Sequence, residues 1–382
     1  MFLALPLQGL GRAARAALLF GVMSALCLLG AAAQAQIKIG QTASFSGPGA
    51  ASVLENTDGA RLYFDAVNAQ GGIRGQRVEL ISMDDKYEPK LAAENTKSLI
   101  DQGVLAMFLS RGTAQSQAQL PLLAEHRLAL VAPSSGAMVL HQPVNPYVFN
   151  LRASFQREAE RAVKHLASIG IKRVTLVQVD DAFGADAGVG ALRGLEAVGL
   201  RASALLRFDR NKPDLGPMMQ QLAKANVEAV LFIGPGYAVV EGVNALRAAG
   251  SSAHVATLSN NASAEFVKAL GDNARGVIVT QVFPYERSTS TPLVREAQAL
   301  YKARGRSDLT PAQLEGFAAA KLLVEGLRRA AKDLSRDGLL KSLDGLQHVD
   351  LGGLELSFGP KNHSGLEFTD VSIIGPDGKF WR

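Results

Sequence analysis

A chain of 382 residues with 40 Lys+Arg against 35 Asp+Glu is close to charge balance, and 47% hydrophobic content supplies material for a sizeable core. No Lys/Arg block stands out along it, so nucleic acid is not expected as a partner. The length favours two domains over one, and the single cysteine, Cys27, excludes a disulfide framework.

The first residues read as a leader. Arg12 and Arg15 form a positive n-region, Ala16 to Ala33 carries no charge, and Ala33-Gln34-Ala35 closes the stretch with an A-x-A pattern. The run is rich in Ala and Gly, and is marginal for a membrane span needing roughly 20 strongly apolar residues. Residues 1–35 are therefore expected to be a secretory signal peptide cut after Ala35. Cys27 leaves with it, since Ser24-Ala25-Leu26 lacks the Leu-x-Gly/Ala approach of a lipid anchor.

From Ile37 onward, short β-branched runs alternate with amphipathic helical stretches. The periodicity predicts strands at Ile37–Ala43, Arg77–Met83, Val104–Leu109 and Leu128–Val131. A second run follows at Arg173–Val179, Ala202–Phe208, Ala229–Ile233, His254–Leu258 and Gly276–Val282. Between them, Ala60, Tyr63, Phe64 and Val67 share one helical face before Gly71-Gly72. Likewise Ala159, Ala162, Val163, Leu166 and Ile169 form a stripe that Gly170 stops. Strand, helix, strand at this spacing predicts parallel sheets with right-handed crossovers. The Asn145-Pro146 turn and Tyr147–Leu151 read as the passage between the two runs. Helices at Pro292–Arg304 and Pro311–Ala331 follow, then strands near Leu354–Phe358 and Phe368–Ile374, expected to complete earlier sheets. No low-complexity linker separates the halves, which points to lobes joined by several strands.

Little in the chain assembles chemistry. Gly234-Pro235-Gly236 follows a predicted strand, but Val239 stands where a dinucleotide fingerprint has its third glycine, and the proline removes an N–H. No P-loop and no G-x-S-x-G elbow is present. The six histidines are scattered without ligand spacing, so no metal is expected. Asp84-Asp85 and Asp180-Asp181 each follow a strand and read as helix caps or loop holders. No nucleophile, base and oxyanion hole come together, and no cofactor is expected. What remains are small, hydroxyl-rich loops at the carboxyl ends of strands, where open α/β sheets bind ligands. These are Ser44–Gly49, Ser110-Arg111-Gly112-Thr113 and Pro133-Ser134-Ser135-Gly136. A helix N-terminus with a hydroxyl is a ready carboxylate site. Thr113 is suited equally to that role and to capping its own helix.

Four segments carry a resemblance across the mature chain: Phe45-Ser46-Gly47-Pro48, Val67–Ile73, Asp84-Asp85 with Glu88-Pro89, and Asp180–Gly184. With their order and spacing the chain resembles a type I periplasmic solute-binding protein of the leucine/isoleucine/valine-binding class. The resemblance implies an α/β fold of two Rossmann-like lobes with parallel sheets, joined by three crossovers and closing on a ligand. It assigns 36–152 and 284–346 to lobe 1, and 153–283 and 347–382 to lobe 2. It also implies a monomer in the periplasm, without enzymatic activity, that hands a carboxylate-bearing small molecule to an inner-membrane ABC permease. Phe45, Ser46, Arg111, Thr113, Ser134, Ser135, Gly136, Phe183, Ser259 and Asn260 are the implied ligand-binding residues. Among them Thr113 stands at the position of the carboxylate-binding hydroxyl. Gly136 replaces a hydroxyl-bearing residue, and Phe183 stands where an aromatic covers the ligand.

One departure bears on the ligand. Amino-acid binders place an acid after a second-lobe strand to receive the ammonium, whereas this chain reads Leu258-Ser259-Asn260-Asn261. An unpaired buried ammonium costs several kcal/mol. A carboxylate without an amine is the better fit unless Asp181 or Glu315 points inward. A sensor subunit of the same fold and a secreted enzyme are the alternative functions. Export itself has a direct check: the intact mass of protein recovered outside the cytoplasm should begin at Gln36, and a retained leader would contradict the reading.

Overall fold

The computed structural model describes residues 36–382 apart from Pro48; the expected signal peptide lies outside the described residues. Strands β1 (Ile37–Ala43), β2 (Val78–Asp84), β3 (Ala106–Phe108), β4 (Ala129–Val131) and β5 (Val148–Phe149) form a parallel sheet in the order β2-β1-β3-β4-β5. Helices α1 (Ala50–Ala69), α2 (Pro89–Asp101) and α3 (Thr113–Glu125) make the crossovers. β3 and β4 are buried on both faces, which is why their sequence is continuously apolar rather than alternating.

The chain then enters a second sheet through α4 (Phe155–Ser168). There β6 (Val174–Val179), α5 (Ala182–Ala197), β7 (Ala202–Phe208), α6 (Leu215–Lys224) and β8 (Ala229–Ile233) follow in turn. α7 (Gly236–Ala248), β9 (His254–Thr257), α8 (Ala264–Leu270) and β10 (Ile278–Gln281) complete the run. β6 to β10 are parallel, and β7 lies at the sheet edge, where its residues alternate between half-buried and exposed. The two sheets carry separate cores, one around Ile39, Phe108, Phe149 and Phe317, the other around Val177, Leu231, Val255 and Val279.

After β10 the chain returns to the first lobe as α9 (Pro292–Ala303), α10 (Pro311–Arg329) and α11 (Arg336–Asp344). It packs α10 against α1, with Tyr63 edge-on to Phe317 at 5.0 Å. Close approach demands small residues here: a Cβ on Gly59 would come within 1.9 Å of the Gln313 carbonyl oxygen, and one on Gly316 within 1.7 Å of that of Asn56.

The tail corrects two expectations. The predicted strand near Leu354–Phe358 joins neither sheet. It pairs as β12 (Glu355–Leu356) with β11 (Val349–Asp350) in a hairpin of its own. The return to the second lobe also comes later than residue 347. Val349, Leu354, Leu356, Phe358 and Leu366 all belong to the first core. The Gly352 carbonyl accepts the Leu293 amide at 2.9 Å, and Phe358 packs on Phe149 at 5.5 Å, so the hairpin is anchored on the first lobe. Only β13 (Asp370–Ile374), antiparallel to β10, and β14 (Phe380–Trp381) extend the second sheet. Three strands therefore pass between the lobes, and two are bonded to each other: Gly365 and Leu366 donate to the carbonyls of Asn150 and Leu151, each at 2.8 Å.

Candidate functional site

Between the lobes lies a cavity of about 400 Å³, walled by the loops at the carboxyl ends of β1 to β4 on one side and β6 to β9 on the other. Ligands bind at this edge of open parallel sheets because helix N-termini and loop amides converge there. From the first lobe come Ser52, Tyr87, Arg111, Gly112, Thr113 and Ser134. The second contributes Phe155, Phe183, Arg210, Tyr237, Asn260 and Phe266.

The loop after β3 is shaped by Gly112, whose φ of +95° suits glycine and whose place leaves no room for a Cβ. It is the N-cap residue of α3 and supplies no side-chain cap. The first amides of α3 therefore lack side-chain acceptors. Thr113 borders the cavity, is 4% exposed, and its Oγ1 has no partner among the described residues. The hydroxyl caps nothing in this structure.

Arg111 crosses the cleft. Its guanidinium donates to Ser134 Oγ at 3.0 Å, to Ser52 Oγ at 3.2 Å and to the Asn260 carbonyl of the opposite lobe at 2.9 Å. Burial pushes its pKa down, opposed by the negative charge of Glu315. Behind it sits a fully buried polar cluster. Ser134 accepts from Asn56 at 3.1 Å and donates to Glu315 Oε1 at 2.9 Å. Glu315 Oε1 also lies 3.4 Å from Arg152 Nη1. Arg152 donates in turn to Glu158 and, at 2.6 Å, to Ser259 Oγ. The second oxygen of Glu158 accepts from the Ser259 amide at 3.0 Å and Thr280 Oγ1 at 2.6 Å. Burial alone would lower the Arg152 pKa, but Glu315 and Glu158 raise it above its ordinary value. Two guanidiniums and two carboxylates balance, and neither carboxylate is free.

The remaining acids are equally committed. Asp181 caps α5, accepting the amides of Phe183 and Gly184 at 2.9 and 3.0 Å, and takes Arg210 Nε at 2.7 Å. Asp84 holds the amides of Phe45 and Lys86 at 2.8 and 3.0 Å, while Asp85 holds that of Tyr87 at 2.9 Å. These bonds fix two successive left-handed residues, Lys86 (φ +50°) and Tyr87 (φ +63°), an arrangement unfavourable for residues with a Cβ. They are what bring the Tyr87 ring to the cavity. Glu265 is the one acid in the cavity wall; its side chain is 54% exposed and lies 3.8 Å from Lys268.

Of the implied site residues, the structure brings Arg111, Thr113, Ser134, Phe183 and Asn260 together at the cavity. Phe183 packs edge-on against Phe155 at 4.7 Å. The others are not in the wall. Phe45 and Ser46 fold back onto Asp84. Ser135 is fully buried, and Ser259 faces Arg152. Gly136 is a packing glycine: its carbonyl accepts the Phe155 amide at 2.7 Å, and a Cβ would meet that nitrogen at the same distance. Neither Asp181 nor Glu315 reaches the cavity wall. Sequence reasoning missed Tyr87, Phe155, Arg210 and Tyr237. Three of the four follow predicted strands, so the rule applied to β1, β3 and β4 would have found them after β2, β7 and β8.

The sequence pattern of the periplasmic binding protein family matches residues 36–367. The chain belongs to the periplasmic binding protein family. A Leu/Ile/Val-binding protein homolog 3 of Brucella melitensis is 25% identical over 82% of this chain and 84% of its own length. Two solved structures are each 30% identical. One, a substrate-binding periplasmic protein from Ralstonia solanacearum, has a TM-score of 0.82 over 90% of this chain and 99% of that one. The other, an extracellular ligand-binding receptor from Verminephrobacter eiseniae ef01-2, has a TM-score of 0.83 over 91% of this chain and 100% of that one. These relatives are solute-binding proteins rather than enzymes. In this binding protein no helix among the described residues is long and apolar enough to cross a membrane.

Thr113 offers a clean test of the cavity. If Thr113 binds the ligand as the resemblance implies, Thr113→Val should weaken capture by about ten- to a hundred-fold, from losing roughly 1.5–3 kcal/mol of charge-assisted hydrogen bond. Thermal stability should be unchanged or slightly higher, because an unpartnered buried hydroxyl is removed. Calorimetric titration and a melting curve read both, and an unchanged Kd would rule Thr113 out.

Proposed function

We propose that this protein is the exported substrate-binding subunit of an ABC importer, and that its ligand is a small carboxylate without an ammonium group. Membership of the periplasmic binding protein family supports capture between closing lobes and delivery to an inner-membrane permease. It also supports action as a periplasmic monomer freed of its leader after Ala35. Closure of this kind works by differential contact: groups that meet the ligand, and each other, only in the closed state shift a hinge equilibrium. The Arg111–Asn260 bond and the amide of Ala264 donating to Glu55 at 3.0 Å join the lobes in this structure and would supply such contacts.

One observation carries the choice of ligand. Each buried acid near the cavity is already paired, while Thr113 Oγ1 is unpartnered and the N-terminus of α3 has no side-chain cap. A carboxylate completes that arrangement. An ammonium in the same closed space would meet carbonyl and hydroxyl oxygens but no buried carboxylate free to pair, at a cost of several kcal/mol; the one acid of the wall, Glu265, is half-exposed and lies beside Lys268. The Brucella relative is named for leucine, isoleucine and valine; for this chain the proposal keeps the carboxylate and omits the amine.

Matched pairs test this directly by calorimetry: leucine against 4-methylpentanoate, valine against 3-methylbutanoate, phenylalanine against 3-phenylpropanoate. The amine-free acid should bind at least about ten-fold tighter within a pair. Tighter binding of the amino acids would overturn the proposal.

A further inference from the structure

Arg210 enters the cavity wall from the loop after β7, opposite the carboxylate site, and it is held from three directions. Its Nε donates to Asp181 Oδ2 at 2.7 Å, with Nη2 2.6 Å from the same oxygen. Its guanidinium carbon stands 4.6 Å from the centroid of the Tyr87 ring, across the cleft. Its own carbonyl accepts the Tyr237 hydroxyl at 2.7 Å. The side chain is only 16% exposed. Nη1 donates to no protein group among the described residues. A guanidinium this closely fixed, with one arm unused at the wall of a cavity, is preorganised for an acceptor.

The local charge favours an anion over a neutral acceptor. Asp181 does not neutralise Arg210 alone, because its other oxygen takes two amides at the N-terminus of α5. That end carries the positive pole of the helix, so Arg210, Asp181 and the helix end together remain positive. Tyr87 connects this end of the cavity to the other. Its ring lies under Arg210, and a Cβ on Gly112, at the start of α3, would touch it at 3.1 Å. Burial pushes the Tyr87 pKa up, opposed by the positive charges of Arg210 and Arg111. Arg210 on one lobe, and Thr113, the α3 amides and Arg111 on the other, thus border one cavity, with the Phe155–Phe183 pair also in its wall.

We propose that Arg210 forms a second anion subsite and that the ligand is a dicarboxylate with an apolar spacer. One carboxylate sits at Thr113 and Arg111, the other at Arg210. The proposal rests on the reading of the Thr113 end as a carboxylate site.

The test titrates a panel of aliphatic α,ω-dicarboxylates from succinate to azelate, together with the three benzenedicarboxylates. Each is set against its own monomethyl ester, which keeps size and shape but loses one charge. The best dicarboxylate should bind the native protein at least about ten-fold tighter than its ester. That ratio should fall to near one in Arg210→Gln and take an intermediate value in Arg210→Lys, which keeps the charge but not the fork. The ratio is the readout, so a general loss of affinity from a perturbed loop leaves it unmoved. Equal binding of every diacid and its ester by the native protein would overturn the second subsite, and so would a preference that survives in Arg210→Gln. Failure of the underlying reading looks different: neither diacids nor esters bind at all, or Thr113→Val leaves the esters' affinity unchanged.

Discussion

The cleft is organised by one buried guanidinium. Arg152 is 1% exposed and stands on the first passage between lobes, between β5 and α4. It holds Glu315 from the first lobe and Glu158 and Ser259 from the second. Removing one partner of such a buried cluster typically costs about 3–5 kcal/mol, because the charges left behind cannot be solvated. The consequence reaches the cavity through Ser134, which spends its hydrogen on Glu315 and so presents lone pairs to Arg111 and Asn56. Arg111 is thereby aimed across the cleft. The acids that an amino-acid ligand would need are occupied in the layer below.

This arrangement separates two jobs that share the same loops. Asp84, Asp85 and Asp181 hold loop backbone in place, and Arg152 with its two glutamates ties the lobes at their junction. The groups left facing the cavity are a hydroxyl, uncapped helix amides, two guanidiniums and a set of aromatic rings, with the half-exposed Glu265 at the wall beside Lys268. A negative group is favoured by that wall, and an apolar body fits between its ends.

Much of the fold was legible because its signals are local. β1, β7 and β8 fall where the alternation and β-branched runs place them. The short elements were not. β5 and β11 have two residues each, too few for any period to register. The hairpin of β11 and β12 turns on Asp350, which accepts the amides of Gly352 and Leu354 at 2.8 and 3.1 Å. Its attachment to the first lobe depends on Leu293, which is distant in sequence. The site divides in the same way. Thr113 and Ser134, marked in sequence by strand ends, and Phe183 and Asn260, implied by the resemblance, all line the cavity. The Arg152 cluster joins residues 163 positions apart and leaves no local pattern. Gly136, implied as a ligand group by the resemblance, lies outside the cavity wall and lets the Phe155 amide approach.

The central claim is that a carboxylate is read at the start of α3 while every buried acid near the cavity is already paired. A crystal structure of the protein with its tightest-binding acid tests this most directly. The account predicts a ligand carboxylate oxygen within hydrogen-bond distance of Thr113 Oγ1, with the Arg152 pairs to Glu158 and Glu315 intact. A ligand whose carboxylate lies elsewhere in the cleft, or a glutamate or aspartate turned from its present partner to meet a ligand ammonium, would contradict it.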